Sequence, residues 1–269
     1  MLGTVFGDLA ACTFKQNRLL FNTDLVGEDA FLSDKGLLAM ATADALLVKS
    51  VKNLSELKSV IKYYHDNRDK NRVHFAKWFE KWCQPESADF SYDSDGAMSL
   101  PVCCIAAQID NNLSITLHHR MLTGKASGYA ARYFSSLIHH LQKGMSKHEA
   151  IHHDGVFMLA QWMKEDFLGE EPYNALHSLI LACKAFSDSY DFTSTIKKAA
   201  AISEYDDTRV VTMLAAAMAE TYYKIDVGCL KFPKSILGNY KDVLQNLKNL
   251  ETDDNLRQQL FSGILLKRF

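Results

Sequence analysis

Three adjacent histidine pairs, at 118/119, 139/140 and 152/153, are the first residues whose type could do chemistry. An imidazole both ligates metals and carries protons near neutral pH. Neighbouring residues on a helix point about 100° apart, however, so the two members of a pair do not chelate one ion. His148, Glu149 and His152 have the H-E-x-x-H spacing of a helical chelate, a short pattern that recurs by chance and carries no metal site on its own. These histidines therefore read as surface or half-buried side chains. Asp93-Ser94-Asp95-Gly96 hints at a calcium loop, lacks its later ligands and closing glutamate, and reads as a turn. No P-loop, dinucleotide-type GxGxxG or GxSxG is present. Phe75, Trp78, Phe79 and Trp82 follow helical spacing and read as core before stacking platform.

The elements that must position any site are helices. Leu38, Ala41, Ala45 and Val48 share one face, as do Phe134, Leu137, Ile138 and Leu141. Val210, Leu214, Ala217, Met218 and Thr221 form a third stripe, and Ile236, Tyr240, Val243, Leu247 and Leu250 a fourth. Such stripes are buried only against one another, which predicts a helix-on-helix core. Asn53 with Glu56, and Ser146 with Glu149, have the spacing of helix starts. The strand-like stretch from Leu113 to Leu117 is short and has no hairpin partner. Function on such a scaffold is expected in the loops, here 15–34, 84–98, 166–174 and the turn at 204–207.

Composition narrows the class. The 269 residues, 48% of them apolar or aromatic, suffice for one all-α domain spanning 1–269, although two small domains are also possible on length alone. A formal net charge of -2 predicts no global pull towards nucleic acid or an anionic membrane. No apolar run reaches the roughly 18–20 residues of a membrane span, and the N-terminus has no basic signal-peptide region. Cys12, Cys83, Cys103, Cys104, Cys183 and Cys229 contain no CxxC pair, the usage of buried thiols in a reducing compartment. A cytoplasmic protein is expected.

Several segments, read in order, resemble the ADP-ribosylglycohydrolase family, in particular its short bacterial type related to dinitrogenase reductase-activating glycohydrolase. Gly3, Gly7, Asp8, Phe14 and Lys15 follow the family's opening G-x-x-x-G-D-x-x-G-x-x-[YF]-E. Leu32-Ser33-Asp34-Lys35-Gly36 is similar to its F-T-D-D-T signature, and Ser94 to Val102 to its N-G-x-A-M-R loop. Asp191 to Ile202 resembles the D-F-x-x-A-I-x-x-A helix. Tyr205-Asp206-Asp207-Thr208-Arg209-Val210 resembles G-G-D-[ST]-D-T, with Tyr222-Tyr223 closing that helix and Phe232-Pro233 where the family has Ile-Pro.

The resemblance implies an all-α fold that holds two magnesium ions and hydrolyses the glycosidic bond between ADP-ribose and its acceptor. Ser33 then stands for the metal-binding Thr, Asp34 for the first Asp of that motif, Asp207 for the first Asp of the later one, and Thr208 for the hydroxyl residue after it. Asp8, Asp34 and Asp207 are the candidate catalytic carboxylates. The departures fall on the metal positions. Lys15, Lys35 and Arg209 stand where the family has acids, Gly36 and Val210 where it has threonines, and Ser99 where it has an arginine. The family's histidine aligns with His118, His119 or Arg120.

Magnesium demands hard oxygen ligands in near-octahedral array. A cation about 4 Å from a like unit charge is repelled by roughly 1–4 kcal/mol, and a divalent ion by twice that. Lys35 and Arg209 are therefore expected to supply covalently the charge that magnesium supplied, pairing with Asp34 and Asp207. The expectation is a pseudoenzyme without metal cofactor, with a relict pocket of Lys15, Ser33, Asp34, Lys35, Asp207, Thr208 and Arg209. Its ammonium and guanidinium groups suit ADP-ribose, a nucleotide or a phosphate-like anion. A hydrolase using fewer metals or none, and a purely non-catalytic interaction protein, are the alternatives.

Overall fold

Gly3 and Gly7 let two helices approach backbone to backbone, with no room for a side chain between them. A Cβ on Gly7 would lie 2.6 Å from the Thr212 carbonyl oxygen, and one on Gly3 3.0 Å from that of Ala216. The computed structural model describes residues 1–51, 53–75, 79, 100–109, 113, 114, 117, 125–153, 173–202, 208–225 and 230–252. Every regular element among them is helical.

In chain order these are α1 (Leu2–Gln16), α2 (Arg18–Thr23), α3 (Asp34–Ala43, continued by a π turn, Asp44–Val48), α4 (Leu54–Asp66) and α5 (Leu100–Ile109). They continue with α6 (Lys125–Gln142), α7 (Lys147–His153), α8 (Tyr173–Ser187), α9 (Phe192–Ile202), α10 (Thr208–Tyr223) and α11 (Lys234–Thr252). The glycine contacts show that α1 and α10 run antiparallel. Both are buried nearly all round, as expected of helices apolar on every face.

The core has two halves, and α1 divides them. Its Val5, Leu9 and Cys12 join α3, α4 and α11, while Phe6 and Ala10 face α6, α7, α8 and α9. Each fully buried Leu or Phe contributes roughly 1.5–3 kcal/mol of transfer free energy. An all-α, compact architecture follows.

The expected stripes are buried with instructive exceptions. Leu38, Ala41 and Ala45 are buried, but Val48 is exposed, because the π turn, with Lys49 N–H donating to the Asp44 carbonyl at 2.8 Å, shifts the helical phase. Tyr240 interrupts α11 with φ −128° and ψ 23°. Asn53 Oδ1 accepts from Glu56 N–H at 3.0 Å, and Ser146 and Glu149 bond reciprocally, so both predicted starts are caps. The span 15–34 contains α2, capped by Asn17, in addition to loop.

Phe75 and Phe79 are buried and stacked at 4.5 Å; Trp78 and Trp82 lie outside the described residues. Cys12, Cys103, Cys104 and Cys183 are buried thiols, and burial pushes Cys103 and Cys183 up to about 12. Cys83 and Cys229 lie outside the described residues, as do most of the loops 84–98 and 166–174. Lys147, at the start of α7, donates to the carbonyl oxygens of Phe186 (3.2 Å) and Ser189 and to Tyr223 Oη (2.9 Å). The rings of Phe186, Tyr222 and Tyr223 surround that ammonium, which ties α7 to the ends of α8 and α10. No helix among the described residues is long and apolar enough to cross a membrane.

Candidate functional site

Asp8 is the only carboxylate of α1, and it is completely buried. A buried carboxylate persists only when donors surround it. Three of its donors come from elements remote in sequence. Ser33 N–H donates to Oδ2 at 2.8 Å and the Ser33 hydroxyl to Oδ1 at 2.5 Å. Arg209, in the first turn of α10, places Nη1 3.2 Å from Oδ1.

Each partner is held by its own element. Ser33 caps α3, its hydroxyl oxygen accepting from Gly36 N–H at 3.1 Å while donating to Asp8. Gly36 is required here, since a Cβ would fall 2.2 Å from Asp8 Oδ2. Arg209 also donates to the Phe31 carbonyl at 3.2 Å, and its guanidinium stands 5.1 Å from the Phe31 ring centre. The loop before Ser33 is itself pinned to α1, because Gly27 N–H donates to the Thr13 hydroxyl oxygen at 2.8 Å.

A second ion pair flanks the first. Lys35 Nζ lies 3.5 Å from Asp34 Oδ2, both side chains largely buried. Burial lifts the Asp34 carboxyl above the usual range, with Asp8 adding to the rise and Lys35 opposing it. Burial works against the charge on Arg209, yet Asp8 and Cys12 outweigh it and hold the guanidinium more basic than usual.

Of the residues singled out by sequence, Asp8, Ser33 and Arg209 meet directly, and Asp34 with Lys35 adjoin them. Thr208 is buried, and its carbonyl accepts from the Thr212 hydroxyl at 2.6 Å. Lys15 is exposed on the last turn of α1, two turns beyond Asp8. Asp207, with the whole of 203–207, lies outside the described residues, as do Ser99, His118, His119 and Arg120. Arg209 is partnered by Asp8, and the expected pairing with Asp207 falls outside the described residues. Two neighbours had no sequence signal. Phe31 presents its ring to Arg209 and also to Arg72, whose guanidinium is 5.5 Å from the ring centre and whose side chain is 56% exposed.

Among the described residues, the groups around Asp8 and Asp34 are taken up with one another. Asp8 already takes a guanidinium and two Ser33 donors, Gly36 brings no ligand atom, and Lys35 sits beside Asp34. Among the described residues no three His, Cys, Asp or Glu side chains converge to hold an ion. What the arrangement offers instead is a neutralised carboxylate pair, bordered by Phe31 and by the exposed guanidinium of Arg72. No protein-family model matches the chain, and no curated protein matches it.

Proposed function

We propose that the chain is a pseudoenzyme relative of the ADP-ribosylglycohydrolases, acting in the cytoplasm, in which Arg209 has taken over the place of the metal. The observation that carries the reading is the Arg209–Asp8 contact at 3.2 Å within a buried network. A guanidinium there neutralises the carboxylate at all accessible pH and repels a divalent ion. The ligand this reading assigns is ADP-ribose, a nucleotide or a phosphate-like anion, recruited by the basic groups around Phe31.

A second reading, hydrolysis without metal, is favoured by one feature. Burial raises the Asp34 carboxyl, the direction of shift that a general acid requires.

The test combines thermal unfolding with an assay for ADP-ribose release from modified arginine and serine. Magnesium is expected to leave the melting temperature unchanged, ADP-ribose to raise it, and release to be absent. Magnesium-dependent release would overturn the proposal; metal-independent release lost in Asp34→Asn would establish the second reading. Indifference to ADP-ribose, ADP and phosphate would leave a non-catalytic interaction role.

A further inference from the structure

Lys147, the first residue of α7, holds its ammonium against oxygen dipoles and rings, with no carboxylate among its partners in the described residues. The carbonyl oxygens of Phe186 (3.2 Å) and Ser189 and the Tyr223 hydroxyl (2.9 Å) are three acceptors for the three protons of a primary ammonium. The ring centres of Phe186, Tyr223 and Tyr222 stand 5.2, 5.3 and 5.8 Å from Nζ, within reach of cation–π attraction. Their planes cross one another at 82°, 74° and 80°, so the rings form three walls of a box.

None of these groups belongs to α7. Phe186 is fully buried in α8, Ser189 follows that helix, and Tyr222 and Tyr223 end α10. The acceptors are also fixed among themselves. Tyr223 Oη donates to the Ser189 carbonyl at 3.1 Å, Ser189 N–H to the Phe186 carbonyl at 3.2 Å, and the Ser189 hydroxyl to the Ala185 carbonyl. The box therefore stands whether or not Lys147 fills it. By contrast, α7 buries only Ala150 and Ile151. It is joined to α6 through Gly144, at φ 85° in the left-handed region, where an added Cβ would meet nothing within 4 Å.

We propose that this box is a receptor for a primary alkylammonium, that the chain fills it with its own Lys147, and that α7 is the latch this tethered ligand holds shut. Aromatic faces and carbonyl dipoles are the means by which proteins recognise ammonium ligands. The three acceptors add selectivity, because a quaternary ammonium has no proton to give them. Withdrawal of the ammonium frees α7 as a local unit, since α8 and α10 are packed in the core without it.

The experiment uses two variants of the full chain. Lys147→Ala deletes the atoms from Cγ to Nζ, which are the skeleton of n-propylammonium. Its melting temperature is expected to rise by about 2–5 °C in about 50 mM n-propylammonium, with little change in the wild type, whose box is filled. Tetramethylammonium, a cation without N–H, and n-propanol, the same chain without charge, are expected to give no such rise. If Lys147→Ala does not fold alone, folding restored by n-propylammonium and not by the other two is the equivalent result. Lys147→Met keeps the side-chain length without the charge. Hydrogen exchange of its α7 amides is expected to speed up about tenfold, while α6, α8 and α10 stay within about twofold. No response of Lys147→Ala to n-propylammonium, an equal response of the wild type, or an equal response to tetramethylammonium would overturn the receptor. Uniform acceleration through all four helices, or none in α7, would overturn the latch.

Discussion

Asp8 illustrates what a residue must have around it to stay charged inside a protein. With zero exposure it has no water to fall back on, so its stability rests on Ser33 and Arg209. Removing one partner of a buried pair costs about 3–5 kcal/mol, because the other charge stays behind uncompensated. Arg209→Gln is therefore expected to lose about that much in chemical denaturation. Asp8→Asn combined with Arg209→Gln is expected to recover a substantial part of the loss, since neutral amides need fewer partners. Equal losses in the single and double variants would show that Arg209 acts through packing on Phe31, not through charge. Asp34 presents the opposite case. Its native carboxyl is lifted by burial, so the folded state holds the proton more tightly than the unfolded chain. The stability this gives is present at acid pH and declines as pH rises through the lifted value. Asp34→Asn keeps the neutral form at every pH. It is expected to match the wild type near pH 4 and to exceed it in unfolding free energy at pH 7. A constant difference across that range would remove Asp34 as the titrating group.

Among the elements, α1 and α10 decide where the site lies, and their close approach depends on absent side chains. Gly7 faces backbone atoms of α10, which cannot turn aside as a flexible side chain can. Gly7→Ala is expected to cost about 1–3 kcal/mol or more, despite the better helix propensity of alanine. Gly238, in α11, offers the contrast, with nothing within 4 Å of an added Cβ. Gly238→Ala is expected to gain about 0.4–1 kcal/mol through the unfolded state. Denaturation midpoints of the two variants moving in the same direction would contradict the assigned helix packing. The periodic stripes made α3, α6, α10 and α11 legible in the sequence, because a buried face repeats with the helical turn. The π turn at Asp44–Val48 was not legible, since an extra residue per turn leaves no trace in composition. Nor was α2 read, six residues being too few for a periodicity, although Asn17 ahead of two leucines is a capping signal.

For the whole molecule, all-α packing and the Lys35–Asp34 pair followed from local patterns, whereas the contact of Arg209 with Asp8 did not. Arg209 stands two residues from Asp207 in sequence, which suggested a local partner. Its contact with Asp8 spans 201 positions and exists only because α1 and α10 run antiparallel in contact. The same holds for Phe31 and Arg72, which no motif connects. This global arrangement also determines what reversing the charges would do. Replacing Lys35→Asp and Arg209→Asp together would put two new acids beside Asp8 and Asp34, and like charges about 4 Å apart repel by roughly 1–4 kcal/mol at effective dielectrics of 80 to 20. The double variant is expected to melt below the wild type without metal. A divalent ion that binds only the folded state then raises its apparent stability by mass action, about 2.7 kcal/mol at a hundredfold excess over the dissociation constant. Lys15, exposed two turns away, is not needed for this response, so Lys15→Glu added to the pair is expected to change it little. Turnover is not expected to return, because Gly36 supplies no hydroxyl and has no room for one. The measurement is thermal unfolding of wild type, double and triple variants with and without millimolar magnesium. A magnesium response identical in wild type and double variant would mean that Asp8, Asp34, Lys35 and Arg209 do not surround a former cation site.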